Sequence, residues 1–99
     1  EKEIADELEH QMRLFGAKTA AFPSIVAVGA RAALPHAKPG RDTVASSSVL
    51  LVDWGAEGRL YKSDLTRTLV TGRIPPKLQE VYGVVLKAQH FLSFLLLLI

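Results

Sequence analysis

The sequence predicts a mixed chain of helices and strands, on three observations. Helical periodicity occupies the first fifteen residues and the stretch after Pro75-Pro76. Apolar runs of strand length fill the middle, and a glycine-containing turn joins the two longest of them.

Each element has its own warrant. In Glu1–Phe15, Ile4, Leu8, Met12 and Phe15 form one apolar stripe with charges around the rest, and Gly16 is placed to terminate the helix. Phe22-Pro-Ser-Ile-Val-Ala-Val-Gly29 reads as a short, mostly buried strand. Residues 30–35 read as loop, and His36-Ala-Lys-Pro-Gly-Arg-Asp42 as a turn region centred on Pro39-Gly40. Polar Ser46-Ser47-Ser48 leads into Val49–Trp54, whose unbroken apolar start suits a central strand. The second arm, Leu60–Val70, puts Lys62, Asp64, Thr66 and Thr68 on one face and Tyr61, Ser63, Leu65 and Arg67 on the other. Gly72 ends it. Pro75-Pro76 then opens a helix with Leu78, Val81, Tyr82, Val85, Leu86 and Gln89 on one face.

The two strands around the turn carry Asp53 and Asp64, eleven positions apart. Setting them directly opposite leaves Gly58-Arg59 as a two-residue loop, and Gly at the first central position suits a type II′ turn. Opposed residues share a face, with Cβ atoms about 4.5–5.5 Å apart. Two bare carboxylates that close repel unless a cation lies between them. Metals in two-metal hydrolases sit about 3.5–4 Å apart, a span such a pair can bridge. A solvated hairpin whose surface acids pair with Arg59 or Lys62 gives the same spacing.

Composition narrows the classes. Twelve Lys+Arg against ten Asp+Glu give a formal charge of +2, with no block of like charge and no interleaving of bases with aromatics, so nucleic-acid binding has no support. The chain has no cysteine, hence no disulfide framework, thiolate site or cysteine nucleophile; this fits a reducing compartment and a cytoplasmic location. The opening residues are too polar for a secretory signal, and with Met12 as the sole methionine the chain reads as a piece of a longer protein. Eight of the nine tail residues, Phe91–Ile99, are large and apolar. Nine residues fall short of the roughly 20 that span a bilayer as a helix, and Lys87, Gln89 and His90 interrupt any upstream extension, so no membrane partner is expected. A buried core segment is one reading of this tail; an altered or truncated end, sticky if exposed, is the favoured one.

Four blocks in order, Phe22-Pro-Ser-Ile-Val-Ala-Val-Gly29, Pro35-His36-Ala37, Val52-Asp53-Trp54-Gly55 and Ser63-Asp64-Leu65-Thr66-Arg67-Thr68, resemble the pita-bread metallopeptidases. Within these they look closest to the Xaa-Pro aminopeptidase and prolidase branch. His36 precedes Asp53 by seventeen residues, as the substrate-contacting histidine of that family does. The match covers residues 1–90, the N-terminal part of a catalytic domain, with 91–99 outside it.

The resemblance implies an α+β fold, part of a curved, mostly antiparallel sheet with flanking helices. It implies two divalent cations, commonly Mn²⁺, held by Asp, Asp, His, Glu and Glu. Asp53 matches the first of these ligands and Asp64 the second, which bridges both metals. Hard carboxylate oxygens suit Mn²⁺ or Mg²⁺. His36 resembles the catalytic histidine that contacts substrate and stabilises the tetrahedral intermediate. Thr66 could hydrogen-bond a ligand carboxylate, though β-propensity alone would also place a threonine there. Arg67 is expected to be a structural ion-pair partner. The implied substrate is a peptide with proline in second position, and a homo-oligomer is allowed for.

The chain departs from the family in two respects. Ala45-Ser46-Ser47-Ser48 stands where a Gly-Asp turn usually precedes the first aspartate strand. The downstream His, Glu and Glu ligands are not in these 99 residues, and His90 is in the wrong place to substitute. The chain alone is therefore expected to be inactive, and to expose sheet edge and apolar helix face. Two other classes share the fold: a non-catalytic module that binds peptides or proteins, and a methionine aminopeptidase or creatinase-like enzyme.

Overall fold

The structure is a computed structural model and describes residues 1–97. Helix α1 spans Lys2–Leu14. It ends in a Schellman cap: Gly16 takes φ 96°, its N–H donates to the Arg13 carbonyl at 3.0 Å, and Ala17 N–H donates to the Met12 carbonyl at 3.0 Å. The glycine terminator expected from sequence is there, with both capping bonds made.

Two antiparallel sheets follow. The larger contains β2 (Ile25–Val28), β3 (Val49–Trp54) and β6 (Leu65–Val70) in the order β2-β3-β6. The smaller contains β1 (Thr19–Ala20), β4 (Ala56–Gly58) and β5 (Tyr61–Lys62) in the order β1-β4-β5. One hairpin runs through both, β3 and β4 forming its first arm and β5 and β6 its second. The expected central position of Val49–Trp54 is what the sheet shows.

The core lies on both faces of β2 and β3. On one face Ala5 of α1 packs with Val26, Val28, Leu50 and Val52, flanked by Ile4, Leu8, Val44 and Trp54. On the other, Ile25 and Ala27 pack with Ala37, flanked by Ala32 and Leu51. Strand alternation sorts these residues to the two faces. The loop carrying His36 therefore covers the face opposite α1.

Four expectations are corrected. Residues 29–33 form a 3-10 turn rather than open loop, and Val44–Ser46 a second one. The second hairpin arm is not continuous: it breaks at Ser63 and Asp64. The hairpin register differs by two residues. Asp53 pairs with Thr66 and Trp54 with Leu65, while Glu57 pairs with Lys62 and Gly58 with Tyr61. The turn is thus Arg59-Leu60, and Gly58 does not take positive φ. Ser63 holds this register, because its N–H donates to the Ala56 carbonyl at 2.9 Å and its Oγ accepts from Ala56 N–H at 2.9 Å. Gly55 permits it: a Cβ there would overlap the Ser63 carbonyl oxygen and come within 2.8 Å of Phe22 Cε1.

The fourth correction concerns the C-terminal helix. Helix α2 spans Pro76–Leu97 as a single element. It passes through Lys87, Gln89 and His90 without a break and takes in most of the apolar tail; Leu98 and Ile99 lie outside the described residues. With the tail included, α2 is long and apolar enough to cross a membrane by length and composition. The core helix of a soluble protein passes the same measure, so it assigns no location. Thr68 and Val70 of β6 and Leu78 and Tyr82 of the first turns of α2 line one small cleft with Ile74. No residue of α2 is buried among the described residues.

Candidate active site

Period-two counting carries Asp53 to the site. Leu50, Val52 and Trp54 face α1, so Leu51 and Asp53 face the other way. On that face Asp53 lies between Ile25 of β2 and Thr66 of β6. Its Oδ1 is buried and has no hydrogen-bond partner. Burying an unsatisfied oxygen costs on the order of 1–3 kcal/mol, more for a charged group, so a carboxylate kept there calls for a ligand.

Asp64 sits at the break between β5 and β6 and is exposed. Extending the register sets it across from Gly55, two positions from Asp53 along the first arm. A two-residue slip does not change which face a strand residue occupies. The carboxylates thus stay on one face but are diagonal rather than directly opposed, and diagonal neighbours in a regular ladder stand about 7–8 Å apart.

His36 reaches the same place by a different route. It lies in the turn after the first 3-10 segment and is exposed. Its neighbour Ala37, 5% exposed, anchors that turn against Ile25 and Ala27.

The three residues meet. His36, Asp53 and Asp64 line one cleft of about 360 Å³, walled by Phe22, Pro23, Ile25 and Pro35. Three groups that can carry charge converge on an apolar wall, the usual make-up of a small-molecule or peptide pocket. Thr66 pairs with Asp53 in the ladder but is not part of the cleft lining. No hydrogen bond from its hydroxyl occurs among the described residues; its carbonyl accepts from Arg67 Nη1 at 2.7 Å. Arg67 was expected in an ion pair, and its guanidinium takes that carbonyl instead. Lys62 pairs with Glu57 at 3.5 Å, so it does not neutralise either aspartate.

Hard oxygen donors at one cleft, one of them unpartnered, suit a divalent cation such as Mn²⁺ or Mg²⁺. Two carboxylates leave most positions of such an ion to other ligands. No group of three or more His, Cys, Asp or Glu side chains placed to hold a metal occurs among the described residues. The aspartates fit as part of a metal site.

Phe22 and Ser24 have no distinct role legible in the sequence. Phe22 walls the cleft, and Ser24, 4% exposed, has a buried Oγ with no partner. The Phe-Pro-Ser-Ile block was the available signal, but it reads equally well as the start of a buried strand.

This combination of sheet, hairpin and cleft has close counterparts among proline-directed peptidases. The chain is 39% identical over 89 residues to the Xaa-Pro dipeptidase of Pyrococcus horikoshii, covering 90% of this chain and 25% of that protein. It superposes on the X-Pro aminopeptidase of Thermotoga maritima with a TM-score of 0.82 and 42% identity, covering 91% of this chain and 26% of the other. For the prolidase of Pyrococcus furiosus the TM-score is 0.84 and the identity 38%, over 91% of this chain and 27% of that one. The model of metallopeptidase family M24 matches residues 1–93, and the chain belongs to that family. Its two antiparallel sheets and two helices are part of the pita-bread fold. The chain spans about a quarter of the length of these relatives.

Proposed function

We propose that this chain supplies the first two metal ligands and the substrate-contacting histidine of a peptidase that cleaves next to proline. The observation that carries the reading is the convergence of His36, Asp53 and Asp64 on one cleft, with Asp53 Oδ1 buried and unpartnered. Asp53 and Asp64 would hold divalent metal, with two Mn²⁺ ions in the full family site. Such ions, when bound, polarise a carbonyl and acidify a water. His36 donates a hydrogen bond to the substrate carbonyl as charge develops on it. Phe22 and Ile25 exclude water and give a prolyl ring an apolar surface. Thr66, beside Asp53 in the ladder, steadies that carboxylate once a ligand orders the site. The proline-directed names of the relatives favour this branch over methionine aminopeptidase.

With two carboxylates, and no group of three or more ligating side chains placed to hold a metal among the described residues, the 99-residue chain is expected to bind metal weakly and not to turn over. Titrating Mn²⁺ into isotope-labelled chain tests the site. Paramagnetic broadening is expected first at Val52–Trp54, Ser63–Leu65 and His36, and Asp53→Asn is expected to weaken it at least tenfold. Broadening centred on Glu3, Asp6 and Glu7 of α1 instead would remove the metal assignment. Hydrolysis of an Xaa-Pro dipeptide by this chain alone, proportional to its concentration, would overturn the predicted inactivity.

A further inference from the structure

Glu1 is a buried acid that the proposed chemistry does not use. Its side chain is 0% exposed. Oε1 accepts from Val28 N–H at 2.8 Å and from Arg31 Nε at 3.1 Å. Oε2 accepts from Gly40 N–H at 2.7 Å and from Arg31 Nε at 3.2 Å. Arg31 extends the link by donating Nη2 to the Lys38 carbonyl at 2.7 Å. The Glu1 amino group donates to the Asp42 carbonyl at 2.8 Å, and Lys2 N–H to the Gly40 carbonyl at 3.2 Å. Gly40 keeps the approach open, since a Cβ there would stand 3.2 Å from Glu1 Oε2.

The partners of the carboxylate lie at both ends of the loop: Val28 and Arg31 where it leaves β2, and Gly40 where it returns. Lys38 and Asp42, also on the returning side, accept through their carbonyls from Arg31 Nη2 and the Glu1 amino group. His36 is between the two ends. It is exposed and no hydrogen bond holds its imidazole among the described residues, so its place at the cleft depends on the loop that carries it. A charged acceptor buried with its donors is stiffer than a surface contact, because breaking it leaves an unpaired charge in a dry site.

We infer that Glu1, acting through Arg31 and Gly40, is a positioning residue that closes the base of the loop and so fixes His36 at the cleft. The functional consequence rests on the reading of His36 as a substrate contact; the structural one does not. Holding a contacting group within a fraction of an ångström is what such a shell of supporting bonds achieves.

The test is NMR on the 99-residue chain without metal or peptide, comparing wild type with Glu1→Ala and Arg31→Lys. Both variants should shift or broaden the His36 ring signals. Amide exchange at Ala37 and Gly40 should quicken at least tenfold in Glu1→Ala, with Leu51, Val52 and Arg67 unchanged within twofold. Unchanged His36 signals and loop exchange in a folded Glu1→Ala chain would overturn the inference. Loss of protection in the loop and β3 alike, in both variants, would also overturn it, because the cluster would then be a general strut. Failure of the peptidase reading would appear separately, as Mn²⁺ broadening away from Asp53.

Discussion

The two edges of the larger sheet are built differently. On the β2 edge all four strand residues are buried, with Val26 and Ala27 at 0% exposure. Helix α1 covers one face there and the His36 loop the other. On the β6 edge Leu69 is 49% exposed and Leu65 37%, and no residue of α2 is buried among the described residues. The same alternating and helical patterns therefore lead to a finished layer on one side and an open one on the other. Hydrophobic periodicity specifies which face an element offers; it does not say whether the same stretch of chain supplies the cover. His36 lies in the loop over the β2 edge, Asp53 on the central strand and Asp64 at the bend, so the site leans on the finished edge.

The largest expected effect comes where the two sheets join. Gly55→Ala forces a Cβ into the Ser63 carbonyl oxygen and against Phe22 Cε1. Neither the backbone oxygen nor the packed ring can yield cheaply. We expect a loss of about 3 kcal/mol, the upper end for overpacking, with the Ala56–Ser63 bonds broken. Chemical denaturation followed by tryptophan fluorescence reports it, since Trp54 is adjacent. A loss below about 1 kcal/mol would mean that the hairpin bends elsewhere in solution.

A slightly smaller effect is expected at the Glu1 cluster, and it depends on pH. Burial would raise the carboxyl's pKa, but the Val28 and Gly40 N–H groups and the Arg31 guanidinium outweigh it and hold the value below the ordinary one. A depressed folded-state pKa contributes stability that is present above the unfolded value of about 4.3 and is lost as pH falls through the folded value. Because Arg31 is 35% exposed, the figure for a broken buried pair is discounted, and Glu1→Ala is expected to cost about 2–3 kcal/mol at pH 7. The gap between wild type and variant should narrow below pH ~4. Thermal midpoints at pH 7 and pH 3 measure it, and a gap that widens in acid would contradict the sign.

How much could be read beforehand follows the same division. Helix α1 with its glycine cap, strand β3 with its central place, and the shared face of Asp53 and Asp64 were legible, because each follows from local periodicity. The hairpin register was not. Gly58-Arg59 offered a favourable turn, yet Ser63, which bonds Ala56 through both its N–H and its Oγ, outweighs that local preference. The Glu1 cluster was invisible for another reason: the bonds of Glu1 itself join residues 27 to 41 positions apart, and an acid at a helix start looks like any solvated one. The full extent of α2 was not legible because the periodic face ends at Gln89 and the tail after it has no amphipathic pattern; Lys87, Gln89 and His90 interrupt an apolar span but not a helix.

Within the β2 side the ordinary packing cost should follow. Val26 is 0% exposed and contacts both α1 and β3. Val26→Ala removes two methyl groups, a transfer loss of about 1.6 kcal/mol, and the unfilled space raises the total to about 2 kcal/mol. Urea unfolding with an unchanged slope would measure it. The equivalent truncation on the other edge, Leu69→Ala, should cost less than half as much; equal costs would show that β6 is covered in solution.

The smallest effect on stability is expected at α2. Leu92 is 60% exposed, and glutamate has a helix propensity close to that of leucine. Leu92→Glu should change stability by no more than about 0.5 kcal/mol, the usual range for a surface site away from special features. Its effect should fall on association instead. Val84, Val85, Phe91, Leu92, Phe94 and Leu96 are each at least 59% exposed and make an apolar surface that monomers rarely leave in water. A charge in the middle of it should shift sedimentation toward the monomer at unchanged thermal midpoint. A drop in the midpoint of more than about 8 °C, corresponding to 1–2 kcal/mol for a chain of this size, would show that α2 is packed within the monomer, and the contrast between the two edges would then vanish.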